Sequence, residues 1–259
     1  MTTYLDAIGE YHRRRAASDE RRWTERLDQA WYVGPSFAQA LSAGDHLAVI
    51  AEVKRRSPSK GWLQRDLDAV AMGRLYESAG AAAISVLTDQ PHFGGDLEDL
   101  AAVRDAVQIP RLRKDFTVCE NDVLDALEWG ASAILLIVAL LDDNELSRLH
   151  ALARTVNLDV LVEVHDETEA RRALSAGALV VGVNQRDLHS FAVDAARAER
   201  VSSVLPPEVV RVAESGLRSV DELTRAVEAG FDAVLVGEAF VIDANPAAKV
   251  REFAGVPRR

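Results

Sequence analysis

Glu52 and Lys54 stand two positions apart at the end of the apolar run 47–54, and Lys114 closes the short run 111–114 beside Asp115. Glu163 lies inside the run 160–164, and Asn184 and Arg186 follow 179–183. Glu214-Ser215-Gly216 follows 209–213, and Gly237-Glu238 follows 233–236. Ionised side chains resist removal from water, so their recurrence at the ends of apolar runs calls for a reason. Taken singly, each is a solvated loop residue or half of an ion pair. Together they suit one polar rim, with ammonium and carboxylate groups for proton transfer and glycines that let backbone N–H groups approach an anion. The alternation of a strand puts Glu52 and Lys54 on the same side.

The elements that would carry this rim repeat along the chain. Runs at 47–54, 82–87, 111–114, 133–138, 160–164, 179–183, 209–213 and 233–236 are nearly continuous and apolar, as in parallel strands covered on both faces. Segments of helical periodicity separate them. In 166–176, Ala170, Ala173 and Leu174 form one stripe beside charged Glu167, Glu169, Arg171 and Arg172, with Asp166 as N-cap and Gly177 as the stop. Ala79-Gly80, Trp129-Gly130, Ala176-Gly177 and Ala229-Gly230 repeat this ending. Eight βα units predict an α/β fold, a (β/α)8 TIM barrel with its active site at the C-terminal strand ends. We expect a single domain over 1–259. Residues 1–46 form a helical N-terminal extension, with helices over 3–15 and 18–31 and a break at Gly34-Pro35, covering a barrel opening or serving as a lid.

The chain has 259 residues, is 48% apolar and 27% charged, and carries 30 basic against 41 acidic side chains. This excludes a disordered tail, a disulfide scaffold and a polybasic nucleic-acid binder. The net charge of −11 repels nucleic acid and anionic membranes but leaves room for a local anion site. With Cys119 as the only cysteine and no membrane-length apolar run, a cytoplasmic location is expected.

Lys54 to Gly61 could be a nucleic-acid patch, but it starts inside a predicted strand, so a loop offering cations and hydroxyls to a phosphorylated ligand fits better. The histidines, His12, His46, His92, His150, His165 and His189, have no spacing that makes a metal triad and are read as surface or packing residues. Cys119 is placed in the third helix without an adjacent base. Trp23, Trp31, Trp62 and Trp129 are read as packing groups.

These residues lie in segments that resemble indole-3-glycerol phosphate synthases. The likeness runs from about residue 36 to 250 through Ile50-Ala51-Glu52-Val53-Lys54, Ser57-Pro58-Ser59-Lys60-Gly61, Phe93-Gly94-Gly95 and Leu112-Arg113-Lys114-Asp115-Phe116. It continues through Leu161-Val162-Glu163-Val164-His165, Gly182-Val183-Asn184-Gln185-Arg186-Asp187-Leu188, Ala213-Glu214-Ser215-Gly216 and Leu235-Val236-Gly237-Glu238-Ala239. The resemblance implies that 1-(o-carboxyphenylamino)-1-deoxyribulose 5-phosphate is closed, decarboxylated and dehydrated to indole-3-glycerol phosphate, with no metal or organic cofactor.

By the same resemblance Lys114 is the acid for ring closure and Lys54 holds the substrate carboxylate. Glu163 stabilises the cationic intermediate and acts as base, and Glu52 moves a proton during dehydration with Asn184 nearby. A carboxylate 4 Å from a cation is worth roughly 4 kcal/mol at an effective dielectric of about 20, provided water is excluded. Ser57, Ser215, Gly216, Gly237 and the Glu238 backbone are implied for phosphate, with Arg186 orienting the polar side through Glu214. Pro58, Phe93, Phe116, Leu135 and Leu188 are implied as walls for the aromatic ring. Glu238 replaces a serine found in some relatives, Glu120-Asn121-Asp122 is unusually acidic, and Arg111 replaces an apolar residue. The expected partner is the small-molecule substrate alone, with no nucleic acid or membrane, in a monomer with a homodimer as the alternative. Two competing readings are a phosphoribosylanthranilate isomerase, for which Cys119 is misplaced, and a silent barrel, which would have no chemical reason to keep buried charges.

Overall fold

The computed structural model describes residues 4–58, 60–186 and 195–258. Eight parallel strands close on themselves: β1 (Ala48–Val53), β2 (Ala83–Leu87), β3 (Arg111–Lys114), β4 (Ala133–Ile137), β5 (Asp159–Val164), β6 (Val180–Asn184), β7 (Val210–Glu214) and β8 (Ala233–Val236), with β8 pairing β1. The expected strands are all present, with boundaries moved by at most one residue. The fold is the (β/α)8 barrel.

Register turns sequence into layers. In a barrel, alternate strands contribute the inward side chains of each layer. Ile50, Leu112, Leu161 and Val212 on the odd strands belong to one apolar cluster inside the barrel, and each is fully buried. Two residues further along the same four strands stand Glu52, Lys114, Glu163 and Glu214. An entire interior layer is thus ionisable. Above it come Leu87, Ile137, Asn184 and Gly237, from the ends of the even strands. A second, larger cluster packs the outward faces of the strands, including Val49, Ile84, Val86, Leu136 and Val162, against the helices.

Helix punctuation follows local chemistry. Asp166 accepts from the Glu169 N–H at 2.8 Å and opens the helix Glu167–Ser175, whose Ala170 and Ala173 are buried. Gly177 ends this turn at φ 90°, in the left-handed region that glycine adopts without a Cβ penalty. Cys119 differs from expectation, because it is the N-cap of Glu120–Glu128 rather than a residue within it. Its thiol pKa is pushed up to about 11 by burial and by the Asp122 charge, which suits an inert group.

The N-terminal region covers both barrel ends. Phe37 and Leu41 of the helix Phe37–Ser42 are fully buried in the barrel-interior cluster. Ser36 Oγ donates to Asp159 Oδ2 at 2.7 Å at the start of β5, which fixes this helix at the N-terminal end. The helix Tyr4–Ala17 crosses the opposite mouth with Leu5 and Ile8 buried. The long helix expected over 18–31 is reduced to Trp23–Arg26 and a 3-10 turn, Leu27–Gln29. Its arginines are engaged elsewhere. Asp19 takes the Arg21 N–H at 3.0 Å, a local bond that competes with helix. Arg21 Nη1 and Arg26 Nη2 reach Asp125 Oδ1 at 2.7 and 2.6 Å, and Arg15 Nη2 reaches Asp122 Oδ1 at 2.6 Å. The acidic face of Glu120–Glu128 is therefore the docking strip for an arginine-rich extension. Arg111 is buried as well, with its guanidinium donating to the carbonyls of Gly130 and Ile109.

Candidate active site

The C-terminal mouth of the barrel holds a pocket lined by Glu52, Lys54, Ser57, Pro58, Phe93, Lys114, Phe116 and Leu135, and by Glu163, Asn184, Arg186, Glu214, Ser215, Gly216, Gly237 and Glu238. Distant stretches of chain thus bring every expected site residue to one cavity, except Leu188, which lies outside the described residues.

Lys114, at the end of β3, points across the barrel. Its Nζ is 3.4 Å from Glu163 Oε2 and 3.9 Å from Glu214 Oε2. The other oxygen of Glu163 accepts from Asn184 Nδ2 at 3.1 Å, and Asn184 Oδ1 accepts from the Arg186 backbone N–H at 3.0 Å. Asn184 therefore serves Glu163 rather than the expected Glu52. Glu52 pairs instead with Lys54. Gly237 makes room for this pair, since a Cβ there would collide with Glu52 Oε1 and come within 3.0 Å of Lys54 Nζ. Gly182 does the same beneath Glu214, whose Oε1 a Cβ would strike.

Burial and charge divide the protons unequally. Burial opposes the ammonium of Lys114, but Glu163, Glu214 and Glu52 outweigh it and raise its pKa, so the lysine stays a proton-bearing acid. Glu163 also resists ionisation by burial, yet Lys114 and His165 hold its pKa below the ordinary value. Glu214 goes the other way: burial, then the neighbouring Glu163 charge, raise it well above. Two adjacent carboxylates that share one lysine favour keeping a proton between them, and burial beside Glu163 weights it toward Glu214.

On the β7 and β8 side, Ser215 and Gly216 have φ of 69° and 79°. Positive φ is uncommon for serine, so this turn after β7 is a specified conformation that lines the pocket. Gly237 precedes the helix Glu238–Val241. Across the cradle, Lys60 Nζ donates to Glu238 Oε1 at 2.6 Å and Arg218 Nη2 donates to the same oxygen at 3.1 Å. Burial works against the Glu238 charge, but Lys60 and Arg218 hold its pKa below the ordinary carboxylate range. The loop with Lys60 is a short hairpin, Arg56–Ser57 pairing antiparallel with Gly61–Trp62, where a flexible loop was expected.

Phe93 and Phe116 supply flat apolar surface, their ring centroids 6.2 Å apart. Tyr4, Leu5 and Ile8 complete that side from the N-terminal helix. They escaped the sequence reading because nothing in a surface-like amphipathic helix says which opening it crosses. His165 was also set aside. It lies just past β5, its Nε2 3.5 Å from Glu163 Oε1 and its Nδ1 3.0 Å from Glu169 Oε2. Burial disfavours the imidazolium, but these two carboxylates raise its pKa overall. Its position directly after a strand bearing a buried carboxylate was the available signal. Among the described residues, His12, Asp89 and His92 form a separate His/carboxylate group beside the mouth.

Comparison with known proteins agrees with this geometry. The indole-3-glycerol phosphate synthase family model matches residues 10–253. An indole-3-glycerol phosphate synthase of Nocardioides sp. is 52% identical over 209 residues, covering 81% of this chain and 80% of that one. The enzyme of that name from Arthrobacter sp. is 48% identical over 235 residues, covering 88% and 86%. Among solved structures, thiamine phosphate pyrophosphorylase of Pyrococcus furiosus superposes with a TM-score of 0.62 at 16% identity, over 84% of this chain and 96% of that one. An N-acetylmannosamine-6-phosphate 2-epimerase of Clostridium perfringens gives 0.59, also at 16%, over 80% and 92%. At that identity these two share the barrel alone. On the family match and on relatives near half identical across most of its length, this chain belongs to the indole-3-glycerol phosphate synthase family.

Proposed function

We propose that the ionisable layer divides the work of the family's reaction among its four strands. That reaction, a step of tryptophan biosynthesis, is a carbon–carbon lyase chemistry: ring closure, decarboxylation and dehydration of 1-(o-carboxyphenylamino)-1-deoxyribulose 5-phosphate to indole-3-glycerol phosphate. The observation that carries the assignment is Lys114, held protonated between Glu163 and Glu214 at the floor of an apolar-walled pocket.

Phosphate binds at Ser57, Ser215, Gly216 and Gly237, which sets the ketone over the layer. Pro58, Phe93, Phe116, Leu135 and the N-terminal Tyr4 and Ile8 hold the anthranilate ring flat, with Leu188 completing the wall. Lys54 receives the substrate carboxylate, exchanging its Glu52 partner for the ligand. As the ring carbon attacks the ketone, Lys114 delivers a proton to the developing alkoxide. Closure leaves a cationic imine. Glu163 stabilises that charge, the carbon–carboxylate bond breaks, and its electron pair neutralises the imine as carbon dioxide departs. Dehydration then needs an acid for the leaving hydroxyl and a base for the ring proton. Lys114 is suited to the first role once it has regained from solvent the proton given up at closure, and Glu163 or Glu52 to the second. Arg186 orients the polar side through Glu214, and its backbone N–H holds the Asn184 amide.

We take the N-terminal extension and the barrel as one catalytic unit, acting as a cytoplasmic monomer on a small-molecule substrate without nucleic acid or membrane. The lone cysteine and the acidic surface support that reading. The test is direct: the purified chain alone, given the anilino ribulose phosphate, should develop indole fluorescence and release one carbon dioxide per turnover. Fluorescence that appears only with a second protein would overturn it.

A further inference from the structure

We propose that His12, Asp89 and His92 form a binding site for a divalent transition-metal ion of the zinc class, which fastens the N-terminal helix over the barrel mouth. None of the three has a part in the chemistry above. His12 lies on the helix Tyr4–Ala17, whereas Asp89 and His92 follow β2, so their convergence is long-range. Their donor atoms all lie within 4.8 Å of one another.

His12 is 4% exposed and Asp89 2%, yet both ring nitrogens of His12 and Asp89 Oδ1 are buried without a hydrogen bond. Buried polar atoms are almost always satisfied, so two facing ones, His12 Nε2 and Asp89 Oδ1, point to a ligand between them. His12 Nε2 is 3.5 Å from Asp89 Oδ1. Bonds of roughly 2.1 Å in tetrahedral geometry set ligand atoms about 3.4 Å apart, so one edge of the polyhedron already exists. His92 Nδ1 sits 2.8 Å from Asp89 Oδ2 and becomes the third ligand when the ion replaces the proton between them.

Two imidazoles and a carboxylate select zinc, cobalt or nickel over magnesium or calcium, which want oxygen ligands. Aromatic rings fix the imidazoles: Phe116 lies 5.1 Å from His12, and Tyr11 lies edge-on to His92 at 5.5 Å. His92 is the most exposed of the three and gives the ion its way in. Tyr4, Leu5 and Ile8, upstream on the same helix, line the substrate pocket, so an ion here tethers part of the pocket wall.

The experiment uses the full chain, freed of metal by chelator and titrated with Co2+, then with Zn2+ in competition. The expected result is one Co2+ per chain with the visible absorption of a tetrahedral site, displaced by Zn2+. That absorption should be lost in His12→Asn and in His92→Gln and kept in His165→Gln. Zn2+ at about a hundred times its Kd should favour the folded state about a hundredfold in wild type and leave His92→Gln unmoved. It should also slow proteolysis within residues 4–17 in wild type alone. Absence of Co2+ absorption in wild type, or the same absorption in His92→Gln, would overturn the site. Because His92 is only partly buried, that variant stays informative even if His12→Asn folds poorly.

Discussion

Lys114 Nζ and Glu163 Oε2 lie 3.4 Å apart across the barrel interior, on strands separated by a third. The contact exists because two inward positions of one layer are charged rather than apolar. Their neighbour Glu214 makes the layer an acid excess that only a retained proton balances, and this arrangement has consequences for pH, packing and ligand affinity.

The pH dependence has opposite signs for the two carboxylates. Glu214 has a raised folded pKa, so its stabilising contribution is complete below its ordinary value of 4.5 and is lost as pH rises through the folded value. Glu214→Gln, which mimics the protonated form, should therefore gain on wild type in thermal stability as pH rises above 4.5. Glu163 has a lowered folded pKa, so its contribution is present above 4.5 and is lost as pH falls through the folded value. Glu163→Gln should flatten the acid limb of the stability profile. Melting temperatures of the three proteins from pH 3 to 9 check both slopes, and parallel curves would contradict the proton assignment.

Glu238 holds two cations that a phosphate would seek. Its carboxylate must yield Lys60 and Arg218 before a substrate phosphate can use them. Glu238→Ser should lower KM roughly 3- to 10-fold, worth about 0.7–1.4 kcal/mol, with kcat little changed. The same variant should bind inorganic phosphate more tightly by calorimetry. A raised KM would mean that the carboxylate organises the cradle instead of competing for it.

Gly182 is a packing requirement of the charged layer. Its α-carbon lies under Glu214 and beside Leu161 Cδ1, where an added methyl meets both. Gly182→Ala should cost about 1–3 kcal/mol in denaturant unfolding and reduce kcat, because Glu214 must move. Full stability with full activity would show that Glu214 has room the structure denies it.

The barrel and most of its rim were legible because both depend on short-range periodicity. Once β1, β3, β5 and β7 are recognised as parallel strands, alternation alone sends Glu52, Lys114, Glu163 and Glu214 to the same side as Ile50, Leu112, Leu161 and Val212. The pairing within the rim was not legible. Asn184 could serve either carboxylate, and only the barrel's stagger brings it to Glu163. Long-range docking was equally hidden. His12 and His92 are far apart in sequence and meet only because the N-terminal helix folds back over the mouth. The stretch 18–31 reads as helical, but its Arg21 and Arg26 find better partners in Asp125 and Glu128 than helical periodicity can express.

Replacement of Lys114 tests the central claim most directly. In single-turnover experiments with the anilino ribulose phosphate, Lys114→Met should slow ring closure by about 10²- to 10⁴-fold, the range typical of losing a positioned general acid. Phosphate affinity should be nearly unchanged, and Glu163→Gln should restore part of the stability lost by leaving that carboxylate unpaired. Ring closure at the wild-type rate in folded Lys114→Met would contradict the account, since the layer's one lysine would then be a counter-ion and not the proton donor.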